Sequence, residues 1–234
     1  MASHQAHSRT VEAQIVSLEE DVADTVRVLL EVPDPSFKFW AGQWLNLGVM
    51  LEGELQVGGY SFASAPRDLP RFELGIKDSL RHPVSRYFHR QARVGDWVKV
   101  DGGHGPCIYD GSEDVDVVLV AGGIGLTPML SIARTFVASK SRRALRFIYS
   151  ASKDRGFAFR DVVVGFDSDP RVRVELHETD GSQAHRVDVE TLSESSHLGT
   201  VFYLCGPSEM VDALSGGLAL EGVPEVNIRF EKWW

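Results

Sequence analysis

The stretch at 118–129, VLVAGGIGLTPM, constrains the fold of this 234-residue chain more than any other. The apolar run at 117–121, bounded by glycines, reads as a buried parallel strand. Gly122, Gly123 and Gly125 follow at once, where the chain must turn sharply and let another group approach its backbone. Thr127 is predicted to cap the next helix with its hydroxyl. Pro128 is predicted as the first helical residue, where a missing N–H costs nothing. Strand, glycine turn and helix start together aim N–H groups and a positive dipole end at one point, which makes an anion site and most often a phosphate site. Taken alone, the motif is also compatible with an ordinary αβ turn that binds nothing. The pattern is GGxGxTP rather than GxGxxG, so the dinucleotide fingerprint is not the basis of this reading.

The chain on either side of 110–116 follows two different patterns. Before it, VEAQIVSL, TVRVLLEV, WLNLGVML, GGYSFASA, RFELGIK and GDWVKVDG are short alternating segments with turn signals between them. PDPSFKFWAGQ reads as a loop and VSRYFHRQ as a short helix. Such spacing predicts an antiparallel barrel or sandwich. After it, apolar strands at 115–121, 144–150, 171–177 and 200–204 alternate with helical stretches at 127–138, 158–165 and 207–220, and VNIRFE forms a last strand. That alternation is βαβ winding, whose ligands sit at the carboxyl ends of a parallel sheet. The expected class is therefore β + α/β: a flexible segment at 1–10, an antiparallel β-barrel domain at 11–110 and a nucleotide-binding α/β domain at 115–234.

Composition narrows the partners. A net charge of −9 argues against a nucleic-acid or anionic-membrane partner, and no apolar run reaches the length of a membrane span. The N-terminal segment lacks an apolar signal core, so the chain reads as intracellular and cytoplasmic, or mitochondrial if the natural chain has a longer N-terminus. Its two cysteines, Cys107 and Cys205, are expected as free thiols, and they are too few to ligate an iron–sulfur cluster. His104 and His177 lack metal-ligand spacing, and no metal site is expected. No nucleophile elbow suggests a hydrolase.

A barrel carrying GGYSFASAP, then GGxGxTP, then CGP, then the ending FEKWW, in that order, resembles the ferredoxin–NADP reductase superfamily, and within it the oxidoreductase NAD-binding domain-containing proteins. The resemblance implies a flavin-binding barrel and an NAD(P)-binding domain, with FAD as resident cofactor. Tyr60 would lie against the flavin ring and Ser61 would hydrogen-bond near its reactive nitrogen, with Phe62, Ser64 and Ser85 on the same side. Gly122, Gly123, Gly125, Thr127 and Pro128 would hold the dinucleotide's pyrophosphate. Cys205, Gly206 and Pro207 would sit where the nicotinamide meets the flavin, and Trp233 and Trp234 would supply the terminal aromatics. Ser61, Cys205 and Glu231 are the residues placed around the reacting atoms, to tune and position rather than to act as a general base. Hydride transfer needs stacked rings at near-attack distance with water excluded, which suits flat aromatic faces and small residues.

The chain departs from the family's pattern at two places. Where the family has the arginine of R-x-Y-S, which pairs with the flavin's phosphate, this chain has Gly58. The second phosphate motif becomes His82-Pro83-Val84-Ser85, with Pro83 removing an N–H. Arg67, Arg81 and Arg86 are candidate substitutes, and an arginine restored at position 58 is expected to tighten flavin binding. Three readings stay open: resident FAD, loosely bound FAD or FMN used as a substrate, and a non-catalytic dinucleotide sensor. Between Lys77 and Lys99, six Lys/Arg face two Asp, which suits either the flavin phosphates or an acidic electron-carrier protein. In the loop FIYSASKDRG, Ser150, Ser152, Lys153 and Arg155 suit a 2′-phosphate and Asp154 suits ribose hydroxyls, leaving NADPH and NADH both open with a lean to NADPH.

Overall fold

The computed structural model describes residues 9–22, 24–112, 114–180, 187–193 and 199–233, so most of the expected N-terminal segment and Trp234 lie outside the described residues. Six antiparallel strands come first: β1 (Val11–Glu20), β2 (Thr25–Glu31), β3 (Trp44–Leu51), β4 (Glu54–Ser61), β5 (Arg71–Lys77) and β6 (Trp97–His104). They are ordered β4-β3-β6-β1-β2-β5, and a bridge between Phe62 and Leu74 draws the two edges together in a barrel-like form. Helix α1 (Pro83–Arg90) packs near β4, with Pro83 at its first position.

A five-stranded parallel sheet follows: β7 (Val117–Gly122), β8 (Leu145–Ser152), β9 (Val172–Thr179), β10 (Val201–Pro207) and β11 (Ile228–Trp233), in the order β11-β10-β7-β8-β9. Every residue of β7 is buried, as a central strand covered on both faces requires. Helices α2 (Leu126–Ala138), α3 (Arg160–Gly165), α4 (Val189–Ser193) and α5 (Ser208–Leu220) complete this half. The short α4 is an addition to the elements read from the sequence, and strand β4 starts and ends about four residues before the stretch expected for it.

The two halves share one apolar interior. Ala41, Ala63, Cys107 and Tyr109 from the first half join Leu119, Ala121, Met129 and Ala133 from the second in a single cluster. The barrel has its own core, where Phe62 stacks on Phe39 with centroids 3.8 Å apart and planes at 10°. Polar contacts lock the junction from the other side. Arg27 on β2 pairs with Asp21 and with Asp161 of α3, and lies 4.3 Å over the ring of Phe159. Asp21 in turn accepts the Phe159 N–H at 2.6 Å. Gly75 of β5 admits this packing, because a Cβ there would lie 2.8 Å from the Thr127 methyl and 2.9 Å from the Phe159 ring.

Candidate active site at the junction of the two sheets

The chain leaves β7 toward β8 and β9 on one flank and returns to β10 on the other. Helix α2 therefore packs on one face of the sheet and α5 on the opposite face. This reversal opens a crevice at the carboxyl ends of β7 and β10, the place where an open parallel sheet binds its ligand.

Two glycine turns form the floor of that crevice. Gly123 has φ +54°, a left-handed conformation that a side chain rarely adopts, and its Cβ position faces open space. Gly125 answers a different need: a Cβ there would lie 2.5 Å from the carbonyl oxygen of Cys205. At Gly206 a Cβ would meet the Met210 methyl at 2.7 Å and the Gly122 Cα at 3.0 Å. The turn after β7 and the turn after β10 are thus in backbone contact, with Met210 laid across both. Helix α2 begins at Leu126 after a 3-10 turn, so Thr127 is its second residue and not its cap. The Thr127 hydroxyl donates back to the Ile124 carbonyl at 3.1 Å, because its backbone is already helical and its side chain no longer precedes the first turn. Pro128 accordingly stands third rather than first.

Facing this floor is the end of β4. Ser61 is buried. Its cross-strand partner is Trp44, whose indole flanks Gly105 together with the carboxylate of Glu231. Glu231 stands beside Cys205 in the register of β10 and β11. Its Oε2 is buried with no hydrogen-bond partner, and burial pushes its carboxyl up to about 7. Burial likewise raises the Tyr60 phenol well above its ordinary value. A buried carboxyl poised near neutrality can hold or release a proton where charge changes hands.

Several residues predicted for the site have other tasks. The Phe62 ring lies wholly in the barrel core, since strand alternation turns it away from Ser61. Ser64 accepts the Glu73 N–H at 2.8 Å, and its carbonyl takes a hydrogen bond from Ser131, so its hydroxyl is engaged in holding β5. The Ser85 hydroxyl is buried, bonded to Ser79 and to the His82 carbonyl. The Cys205 side chain is fully buried in the shared interior. In the loop after β8, Arg155 pairs with Asp24 and Lys153 is exposed, while Ser150 lies in β8 itself, partly buried. Pro207 closes β10 in an exposed position. Sequence reading passed over Trp44, Gly105 and Met210, and named His82 only as part of the altered phosphate motif. Met210 alone had a usable signal, as the third helical residue after CGP, a position that points a side chain back over the preceding turn.

Family models match both halves: the oxidoreductase FAD-binding domain over residues 12–109 and the oxidoreductase NAD-binding domain over 119–216. Oxidoreductase NAD-binding domain-containing protein 1 of Danio rerio is 32% identical over 241 residues, an alignment covering 91% of this chain and 88% of that protein. The chain belongs to this oxidoreductase family. The human protein of the same name is 30% identical, with 88% of this chain and 74% of that one covered. Among solved structures, the FAD/NAD-binding domain of nitric oxide dioxygenase from Vibrio cholerae superposes with a TM-score of 0.82 at 21% identity, over 95% of this chain and 98% of that one. Phthalate dioxygenase reductase superposes with a TM-score of 0.78 at 28% identity, over 95% and 68%. This oxidoreductase thus carries the domains that bind FAD and NAD(P)H. The buried, unpaired Glu231 oxygen, next to Trp44 at Gly105 and beside the end of β10, fits a polar ring edge such as a flavin's. Among the described residues, no helix is long and apolar enough to cross a membrane, and no group of three His, Cys, Asp or Glu is placed to hold a metal ion.

Proposed function

We propose that this oxidoreductase takes a hydride from NAD(P)H and passes electrons through FAD to a separate acceptor. The observation that carries the reading is that Trp44, the cross-strand partner of Ser61, and Glu231, the register partner of Cys205, meet at Gly105. Flavin, when bound, would accept one hydride, with its two electrons, and release those electrons singly or together. The protein's part is alignment. The turns at Gly122–Gly125 and Gly206 position the dinucleotide's phosphates, Tyr60 offers a flat face, and the shared apolar interior keeps water from the far side. Ser61 donates or accepts a hydrogen bond at the flavin edge, and Glu231, its carboxyl pushed up to about 7 by burial, exchanges a proton there near neutral pH.

The acceptor is an electron-carrier protein with an acidic face, or free flavin. The exposed arginines 81, 86, 90 and 93, on and around α1, support the first, since they present one sign of charge next to the flavin side. Cytoplasmic and mitochondrial settings both accommodate this chemistry.

Visible absorption of the purified protein, with FAD and then NADPH or NADH added without oxygen, tests the reading. A flavin band that survives gel filtration and bleaches with dinucleotide supports a resident flavin. A colourless protein that reduces added flavin makes flavin a substrate. No band and no turnover overturns the enzyme reading in favour of a dinucleotide sensor, the alternative that Gly58 and Pro83 favour.

A further inference from the structure

A flavin nucleotide brings one or two phosphates, and a phosphate at a protein surface is normally met by a cationic side chain or by backbone N–H groups. Strand β4 offers no side chain for this at Gly58, and α1 begins with a proline. The room beside Gly58 is nevertheless filled. Gly58 and Tyr60 share one face of β4, the face on which α1 packs. A Cβ at position 58 would lie 2.9 Å from Cε1 of His82, 3.0 Å from Cε2 of Tyr60 and 3.2 Å from its hydroxyl. The imidazole of His82 therefore stands where the root of an arginine side chain at 58 would stand.

Two further features mark His82 as placed rather than merely packed. Its backbone is held on both sides: its N–H donates to the Ser79 hydroxyl at 3.0 Å, and its carbonyl accepts from the Ser85 hydroxyl at 3.0 Å and the Arg86 N–H at 3.1 Å. Yet its Nδ1 is buried with no hydrogen-bond partner, a state that a folded protein rarely leaves uncompensated. The carboxylate nearest in sequence, Asp78, is engaged by the Leu80 N–H at 2.8 Å. Arg81 and Arg86 flank the imidazole in sequence and are exposed.

We propose that His82 supplies the side-chain contact to the flavin's phosphate that position 58 lacks, and that Gly58 is glycine because His82 needs its space. The inference rests on the flavin reading above. It recasts the departure at position 58 as an exchange of one side-chain partner for another, contributed from the start of α1 instead of from β4. It also corrects the expectation that an arginine at 58 by itself tightens flavin binding, because that side chain must displace His82 and Tyr60.

Equilibrium binding of FAD, FMN and riboflavin, followed by flavin fluorescence, separates the two ideas. Riboflavin keeps the ring and lacks the phosphate. His82→Ala is expected to raise the dissociation constants for FAD and FMN about tenfold and to leave riboflavin within twofold, with His82→Gln in between. Gly58→Arg in the parent is expected to gain nothing, whereas Gly58→Arg with His82→Ala recovers FAD binding to at least the parent level. Far-ultraviolet circular dichroism confirms that each variant is folded, and the double variant speaks even if one single variant folds poorly. The inference on His82 is overturned if His82→Ala binds FAD as the parent does, or loses riboflavin as strongly as FAD. If the parent binds none of the three flavins, the flavin reading itself falls.

Discussion

The hydroxyl of Ser131, in the middle of α2, donates a 2.6 Å hydrogen bond to the backbone carbonyl of Ser64. One turn on, Arg134 donates to the Ala63 carbonyl at 2.8 Å and to the Glu73 carboxylate at 2.9 Å. The helix that starts after the glycine turn at 122–125 therefore also holds the segment directly after Tyr60 and Ser61. On the proposed function, alignment of the two rings across the junction rests on this suspension.

Ser131→Ala is expected to destabilise the protein by about 1–2 kcal/mol, because it strands a buried carbonyl. Arg134→Met should cost about 1–3 kcal/mol, since it leaves both the Ala63 carbonyl and the half-buried Glu73 without their partner. Urea midpoints at constant m-value measure the loss. Both variants should also slow flavin reduction by NAD(P)H in stopped flow. Unchanged midpoints and unchanged rates would show that the suspension is decorative.

Glu231 makes stability depend on pH. Its carboxyl titrates near 4.5 in the unfolded chain and at about 7 in the folded protein, because burial disfavours the charged form. Between those values the folded state binds more protons than the unfolded state, so stability falls as pH rises from about 4.5 to about 7. The full difference corresponds to about 3 kcal/mol. Urea titrations of the parent and of Glu231→Gln across this range should diverge by that order, the variant lacking the decline. Parallel curves would remove Glu231 as a buried titrating group.

Cofactor preference is expected to answer to a residue outside the dinucleotide half. Asp24, at the start of β2, pairs with Arg155 and stands 3.7 Å from Lys77. Asp24→Asn frees Arg155 for a 2′-phosphate and should raise the NADPH-to-NADH ratio of kcat/KM severalfold. Arg155→Leu should lower the same ratio without changing NADH turnover. If neither variant moves the ratio, the loop after β8 does not govern the choice.

Gly75→Ala should destabilise the junction by about 1–3 kcal/mol, the range for forcing a methyl into packed surroundings. The added carbon would meet the Thr127 methyl at 2.8 Å. Thr127→Ser deletes that methyl and is expected to recover part of the loss in the double variant. Thermal melts of the four proteins form a cycle whose coupling decides the matter. Purely additive effects would contradict a contact between the two halves at this point.

Much of this architecture is legible in residue order. The unbroken apolar run before Gly122, the alternation in the first hundred residues and the βαβ spacing after 115 each obey local periodicity, and each appears as an element. Less legible is what a polar side chain does once the chain has closed on itself. Ser64 lies in the right stretch for a flavin edge, yet the N–H of Glu73, nine residues away, claims its hydroxyl. Phe62 follows Ser61 directly, and the pleat alone sends it to the opposite face. Gly58 reads as a lost arginine because the sequence does not show that His82, 24 residues later, fills its place. Trp44 and Glu231 come together across most of the chain's length, a pairing that no spacing announces.

The interlocked glycines at 122, 125 and 206 carry a consequence for how this site can change. Two turns that touch through their backbones behave as one keystone, so neither can lengthen, tilt or accept a side chain without dislodging the other. Altered cofactor preference, tighter grip or a new acceptor must then arise at the rim, on Asp24, Arg155, His82 and the arginines of α1. An engineer who wants a different specificity from this scaffold should leave its floor alone.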